Sequence, residues 1–444
     1  MQIKLSDSFT YKKLLQFTFP SIIMMIFTSI YGVVDGFFVS NFVGKTPFAA
    51  VNFIFPFIMV LGAFGFMFGT GGSALVSKTM GEGDKIKANK IFSMIVYISI
   101  VFGIVISTIG ILFIRPIAQM LGAEGEMLDF CVIYGRIILL ALPAFMLQME
   151  FQSFFIAAEK PQLGLYTTIG AGVTNMLLDA TLMGIFDLGI VGAALATALS
   201  QCVGGIIPFF YFLSKKNNSL LHLTKPIIDW KAFIKVCTNG SSELMSNISM
   251  SVVGMLYNFQ LMKYAGENGV AAYGVLMYIS FIFISVFIGY SIGTAPIVGF
   301  HYGANNSNEL KSLLKKSFVL IGCSSLVMVA LGLILANPLS RIFVGYDKEL
   351  FEMTLRGFII YSFSFLFTGV SIYSSSFFTA LNNGVISASI SFLRTLVFQS
   401  LCVLILPIFW KIDGVWSSII VAELLATLLS ISLIFKFRKR YNYI

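Results

Sequence analysis

Charge is what this sequence has least of. Only 11% of its 444 residues are Asp, Glu, Lys or Arg, while 57% are hydrophobic. Soluble domains carry about 25% charged residues, so a water-exposed globule is excluded and a polytopic membrane protein remains. Histidine occurs twice, as His222 and His301, both at the edges of apolar runs, where solvation is expected rather than catalysis. The five cysteines, Cys131, Cys202, Cys237, Cys323 and Cys402, are scattered in or beside apolar runs. That spacing supports neither a disulfide framework nor a metal site. No nucleophile–base constellation is present, so neither an enzyme nor a bound cofactor is expected. The loop GEGDKIKANK lacks the Gly-Lys-Ser/Thr ending and the preceding strand of a phosphate loop, which argues against nucleotide binding. A cleavable leader is not expected either: residues 1–13 are polar without a cleavage site, and the apolar run that follows is too long.

What the chain has is apolar length. Twelve runs can be marked, at about 14–43, 48–77, 91–113, 130–157, 163–185, 191–213, 234–262, 270–300, 317–338, 355–380, 385–409 and 415–436. A spanning helix needs about 20 such residues. The net charge of +9 could suggest nucleic acid, but the positions of the charges argue for topology instead. With the N-terminus inside, the inner segments hold twenty Lys and Arg and the outer segments six, Lys45, Arg115, Lys263, Arg341, Lys348 and Lys411. The positive-inside rule then puts both termini in the cytoplasm of a cell-membrane protein surrounded by lipid.

The longest polar connection, 214–233, divides the chain into residues 1–213 and 234–444, six runs each. With a shift of 222 and no gaps, Gly44 falls on Gly266, Gly71 on Gly293, Gly81 on Gly303, Gly110 on Gly332, Pro116 on Pro338, Gly135 on Gly357 and Gly192 on Gly414. Gly and Pro mark special backbone geometry, so these coincidences exceed what shared hydrophobicity gives. The expected fold is all-α, twelve transmembrane helices in two pseudo-symmetric six-helix bundles. An even number of spans per half makes the copies parallel, as in transporters that rock two bundles around a midplane site.

Few charges lie deep in these runs. Asp35 is the only one between Leu14 and Phe42, and a carboxylate within hydrocarbon costs about 2.5–3.5 kcal/mol on insertion scales. Pro20 in the same run removes a backbone donor and invites a bend. In the fifth run Asn175 and Asp179 stand four apart, on one helical face. Thr197 lies near the outer end of the sixth. At 1.5 Å per residue Asp35, Asp179 and Thr197 share a depth of about 10–13 Å. Two carboxylates, an amide oxygen and a hydroxyl at one level suit a Na⁺ site or a proton relay. The shift of 222 carries them to Tyr257, Val397, Leu401 and Ile419, so such a site is expected in the leading half alone. In the trailing half Glu243 and Arg394 sit at equal depth and are expected to pair, with Glu423 a weaker partner for Arg394. Glu150, Arg136 and Arg356 lie near run ends, where snorkelling to water suffices.

The runs VVDGFFVSNFVG and AAVNFIFPF, GGSALVSKTMGEGD, and GAGVTNMLLDATLMG followed by GIVGAALATALSQ resemble those of the multidrug and toxic compound extrusion (MATE) family over essentially the whole chain. The nearest branch carries its cation site in the N-terminal lobe. The resemblance implies that Asp35, Asn175, Asp179 and Thr197 hold Na⁺ or H⁺, and that Pro20 matches a first-helix proline tied to the transport cycle. It implies export of small organic, often cationic and amphipathic compounds as the ion enters, by a chain working as a monomer. A branch that uses C-terminal-lobe acids pairs a helix-seven glutamate, here Glu243, with a helix-ten aspartate that this sequence lacks, so Glu243 and Arg394 are auxiliary. A flippase for a lipid-linked saccharide is the alternative; it would need a strongly cationic cavity.

Overall fold

The computed structural model describes residues 3–214 and 216–443. Lys215 and the side chain of Lys45, both counted among the charges above, lie outside it, as do the outermost residues of the two halves. Among the described residues there are helices and no strand.

The leading half contributes α1 (Tyr11–Phe42), α2 (Lys45–Gly81), α3 (Lys85–Leu121), α4 (Gly125–Ala157), α5 (Pro161–Asp179) and α6 (Gly189–Leu213). A π-helical turn, Ala180–Ile185, extends α5. The linker packs on α3, its His222 amide donating to Asn89 Oδ1 at 2.6 Å and its Thr224 amide to Ser93 Oγ at 2.8 Å. After it come α7 (Trp230–Gly303), α8 (Ser307–Val344), α9 (Lys348–Ser362), α10 (Phe365–Ala380), α11 (Gly384–Phe392), a second π turn (Leu393–Phe398) and α12 (Gln399–Tyr441). The helix begins at Trp230, four residues before the expected boundary, because the Asp229 side chain accepts from the Lys231 and Ala232 amides and caps it.

Two of these helices are hairpins. A straight helix of 74 residues would reach about 110 Å, yet Tyr257 and Tyr273 stack with ring centroids 4.9 Å apart. The chain therefore doubles back between them, at Gly266, where φ is 62° and ψ −153°. Likewise α12 breaks at Lys411 (φ 50°, ψ −126°), which brings Arg394 back to Glu423. Among the described residues nine helices are long and apolar enough to cross a membrane, ten with α9 and α10 taken as one span bent by 51°. Counting both hairpins as two passes agrees with the twelve expected. The shift of 222 reappears in backbone angles: Gly44 and Gly266 both have positive φ, as do Gly83 and Asn305, and Gly189 and Lys411. Asp84 and Asn306, also 222 apart, each cap the following helix through the side chain.

The halves touch mainly at the end that carries both termini. There the backbones of α2 and α7 meet so closely that a Cβ on Gly240 would strike the Met67 carbonyl, and one on Gly71 would lie 2.6 Å from the Gly240 nitrogen. Gly81 faces Phe300 and Gly303 faces the Lys78 carbonyl in the same way. Only glycine permits that approach. Toward the opposite end Gly32, Gly254 and Gly274 have open space beside them. The cleft is shut on the terminal side and open on the other.

The N-terminal segment lies across the shut face. Leu5 and Phe9 are buried. The Leu5 amide donates to Glu159 Oε1 at 2.7 Å, and the Phe9 amide to Glu309 Oε1 at 2.8 Å. Lys316 Nζ donates to the Phe9 carbonyl. His301, expected at a solvated edge, is instead 2% exposed, its Nε2 3.2 Å from the Asp7 carbonyl. The N-terminal segment takes the place of the water that the sequence position suggested.

Candidate functional site

The α1 helix runs unbroken from Tyr11 to Phe42 through Pro20, so the proline leaves the Gln16 carbonyl without its helical donor and does not interrupt the helix. Fifteen residues further on, α1 presents Asp35 toward α5 and α6. Asn175, Asp179 and Thr197 are the polar side chains that act on the Asp35 carboxyl. The four residues named from sequence thus meet in one place. Asn175 is 1% exposed and Asp179 0%, while Asp35 is partly exposed. Asp35 and Thr197 are thus the part-exposed members of the set, and Asn175 and Asp179 the buried ones.

What the pocket lacks is donors. Asp35 Oδ1, Asn175 Oδ1 and both Asp179 oxygens are buried with no hydrogen-bond donor. Buried acceptors of this kind are rare and costly, about 1–3 kcal/mol each and more when charged. Two unit charges 4 Å apart repel by about 4 kcal/mol at an effective dielectric of 20. A proton or a small hard cation between the carboxyls removes both costs. The donor set is all oxygen, the kind that suits Na⁺ and not a soft transition metal. Among the described residues no three His, Cys, Asp or Glu side chains converge.

Sequence reasoning missed the pocket's border. Tyr31 lies beside Asp35 one turn earlier on α1, and Tyr134 of α4 lies beside both aspartates. The i, i+4 spacing of Tyr31 and Asp35 could have flagged the first; nothing in the sequence points to Tyr134. The π turn that starts immediately after Asp179 was also unforeseen, and such turns recur at functional sites.

A second concavity, a cavity of about 410 Å³, opens between the halves and into the trailing one. Met25, Phe66 and Met149 line it from the leading half, and Met250, Tyr257, Tyr273, Met277 and Phe281 from the trailing half. Glu243, Arg394 and Glu423 reach it too. Here the expected pairing is reversed. Arg394 holds Glu423, with Nη2 2.9 Å from Oε1 and Nε 2.9 Å from both oxygens. Glu243 acts on Arg394 only at longer range. Equal depth put Glu243 and Arg394 at one level, but the α12 turn brings Glu423 around to the guanidinium first.

One other expectation needs correction. Glu150 does not snorkel: it is 0% exposed, with both oxygens unpartnered, because α4 is covered along its inner end by α2 and α3. Arg136 and Arg356 are exposed as expected, Arg356 pairing with Asp413 at the surface.

The MatE family model matches residues 20–181 and 244–404, most of both halves. The chain belongs to the MATE family. It is 26% identical over 441 residues to the multidrug export protein MepA of Staphylococcus haemolyticus, covering 98% of this chain and 95% of that protein. Among solved structures, the outward-facing conformation of a multidrug resistance MATE transporter of the MOP superfamily superposes with a TM-score of 0.91 at 22% identity, over 97% of this chain and 98% of the other. A MOP superfamily transporter from Pyrococcus furiosus, described as having a binding pocket of reverse polarity and a different function, gives 0.89 at 22% identity, over 98% and 96%. At such identities the likeness concerns the fold. For this MATE chain, then, the polarity of the cavity has to be read from its own residues. Arg394 is its one cation and is neutralised by Glu423, which leaves Glu243 as the acid without an ion-pair partner among the described residues.

Proposed function

We propose that this chain is a secondary antiporter that exports small organic, often cationic and amphipathic compounds as Na⁺ or H⁺ enters. The observation that carries the reading is the set of donor-less oxygens shared by Asp35, Asn175 and Asp179, with Thr197 beside them. In this reading residues 1–213 form the ion-binding lobe and 234–444 the second lobe, joined by a cytoplasmic linker. The twenty-to-six distribution of Lys and Arg supports cytoplasmic termini in the cell membrane. The open side of the cleft then faces outward.

The coupling ion is itself cargo. Asp35, the part-exposed acid, takes it from the outer side and Asp179 shares it. Neutralising the pair removes a repulsion of several kcal/mol, the scale needed to move a two-state equilibrium from 1:99 to 99:1, about 5.5 kcal/mol. Ion and substrate drive exchange by preferring different states. Pro20, near the point where α1 packs against α7, gives α1 a place to bend when the lobes rock. The working unit in this reading is a single chain, which supplies both lobes.

The flippase alternative is less well supported. Lipid-linked phosphates call for a surplus of buried cations, and the one cavity cation, Arg394, is already held by Glu423. Reconstitution in proteoliposomes, with Na⁺ and pH gradients imposed separately, tests the proposal. Efflux driven by one gradient and lost in Asp35→Asn supports it; efflux indifferent to both gradients overturns it.

A further inference from the structure

The terminal face carries a cluster of cations that ion coupling leaves unused. Lys78, at the end of α2, and Arg440, at the end of α12, are the charged neighbours of Lys235 on the second turn of α7. Lys78 Nζ stands 5.7 Å from the Tyr302 ring, Arg440 Cζ 5.5 Å from the Tyr441 ring, and the two rings are 5.7 Å apart. Among the described residues Glu82, 3.2 Å from Lys78, is the one acid paired within this cluster. Three cations with one counter-charge therefore meet where the two halves close. Like charges gathered this tightly repel, and an anion placed among them relieves the repulsion.

A second, independent feature says what kind of anion. At the start of α7, Trp230 and Ile234 are four residues apart on one face and 64% and 61% exposed. Ile227 and Ile228 just before them are 52% and 62% exposed. Lys231 and Lys235, also four apart, form the stripe next to it. An exposed apolar stripe with a tryptophan beside a basic stripe fits the boundary between acyl chains and headgroups. A free phosphate would use only the cations; an anionic phospholipid uses both stripes.

We propose that Lys78, Lys235 and Arg440 bind the headgroup of an anionic phospholipid, whose chains lie along Trp230 and Ile234. Lys78 belongs to the leading half and the other two to the trailing half. The three stand together only while Gly81 and Gly303 hold the seam closed, so the lipid favours the state closed on the terminal side. This goes beyond the export reading and does not depend on what the cavity carries.

The test uses the full-length protein in nanodiscs of phosphatidylcholine with or without phosphatidylglycerol, read by native mass spectrometry and thermal unfolding. Phosphatidylglycerol should be retained and should raise the unfolding midpoint. Each of K78Q, K235Q and R440Q should weaken retention about fivefold, the equivalent of about 1 kcal/mol per basic residue at an anionic surface. K436Q/K439Q, which removes two charges from the same α12 end outside the cluster, should weaken retention less than any one of the three. Equal loss in that control would reduce the effect to general surface charge and overturn the site. Equal displacement by soluble glycerol phosphate would overturn the lipid assignment. Failure of ion-driven efflux, by contrast, would leave this result untouched.

Discussion

The Asp35 carboxyl faces that of Asp179, one from the first helix and one from the fifth, with no donor between them on the Asp179 side. A pair that shares one proton or ion acts as a unit, and deletions within a unit are not additive. Asp35→Asn and Asp179→Asn should each abolish gradient-driven dye efflux from proteoliposomes. The double variant should be no worse than either single one. Amides restore donors to the pocket, so both single variants should fold with unchanged or raised thermal stability. Retained efflux in either variant would remove the site from the transport cycle.

In the trailing half the two acids should behave differently. Glu423 is 1% exposed and bound to Arg394 through both oxygens. Glu423→Ala would leave the half-buried Arg394 guanidinium unpaired, a loss that approaches the roughly 3–5 kcal/mol of a fully buried pair without reaching it, visible as a clear drop in the thermal midpoint. Glu243 has no such tie, so Glu243→Gln should leave the midpoint nearly unchanged. If Glu243→Gln were the more destabilising, the pairing described here would be wrong.

Much of this was legible in the sequence because intramembrane polar groups are expensive and glycine positions repeat. The cost of Asp35 in hydrocarbon, the Asn175–Asp179 spacing and the depth of Thr197 sufficed to pick the residues that meet. The coincidence of Gly44 with Gly266 marked the α7 hairpin. Pairing in the trailing half was not legible, since depth fixes a level and not an azimuth: Glu243 and Glu423 both reach the level of Arg394, and helix rotation chooses between them. Tyr134 and the buried state of Glu150 depend on which face of α4 is covered, and α4 is apolar nearly all round. His301 was misjudged because its cover comes from the N-terminal segment, whose path no periodicity encodes.

The closed end of the cleft offers a conformational test. A Cβ at Gly240 would meet the Met67 carbonyl, and one at Gly303 the Lys78 carbonyl. Neither partner is a flexible side chain, so the halves must separate locally, and overpacking of this kind costs about 1–3 kcal/mol. The cost falls only on the state in which the terminal side is shut. Gly240→Ala and Gly303→Ala should therefore shift the population toward the opposite opening, seen as longer spin-label distances across the terminal face and shorter ones across the other. Gly254→Ala, where the space is open, should change neither.

The N-terminal tail gives a pH dependence whose sign can be worked out. Burial is the largest influence on Glu159, between α4 and α5, and pushes its carboxyl above the ordinary value; the Leu5 amide, Lys4 and Lys160 pull the other way by less. An acid whose pKa is raised by folding binds protons more readily folded than unfolded, so stability falls as pH rises from the ordinary glutamate value through the raised one. Thermal unfolding of the full-length protein should show a component that declines over that window. Glu159→Gln keeps an oxygen to accept from Leu5 and cannot ionise, so it should flatten this component and hold the tail at high pH. Glu159→Ala removes the acceptor and should cost about 1–3 kcal/mol at every pH, the penalty of a buried amide left without a partner, with faster proteolysis ahead of Tyr11. A Glu159→Gln profile as steep as the parent's would assign the pH dependence to another group.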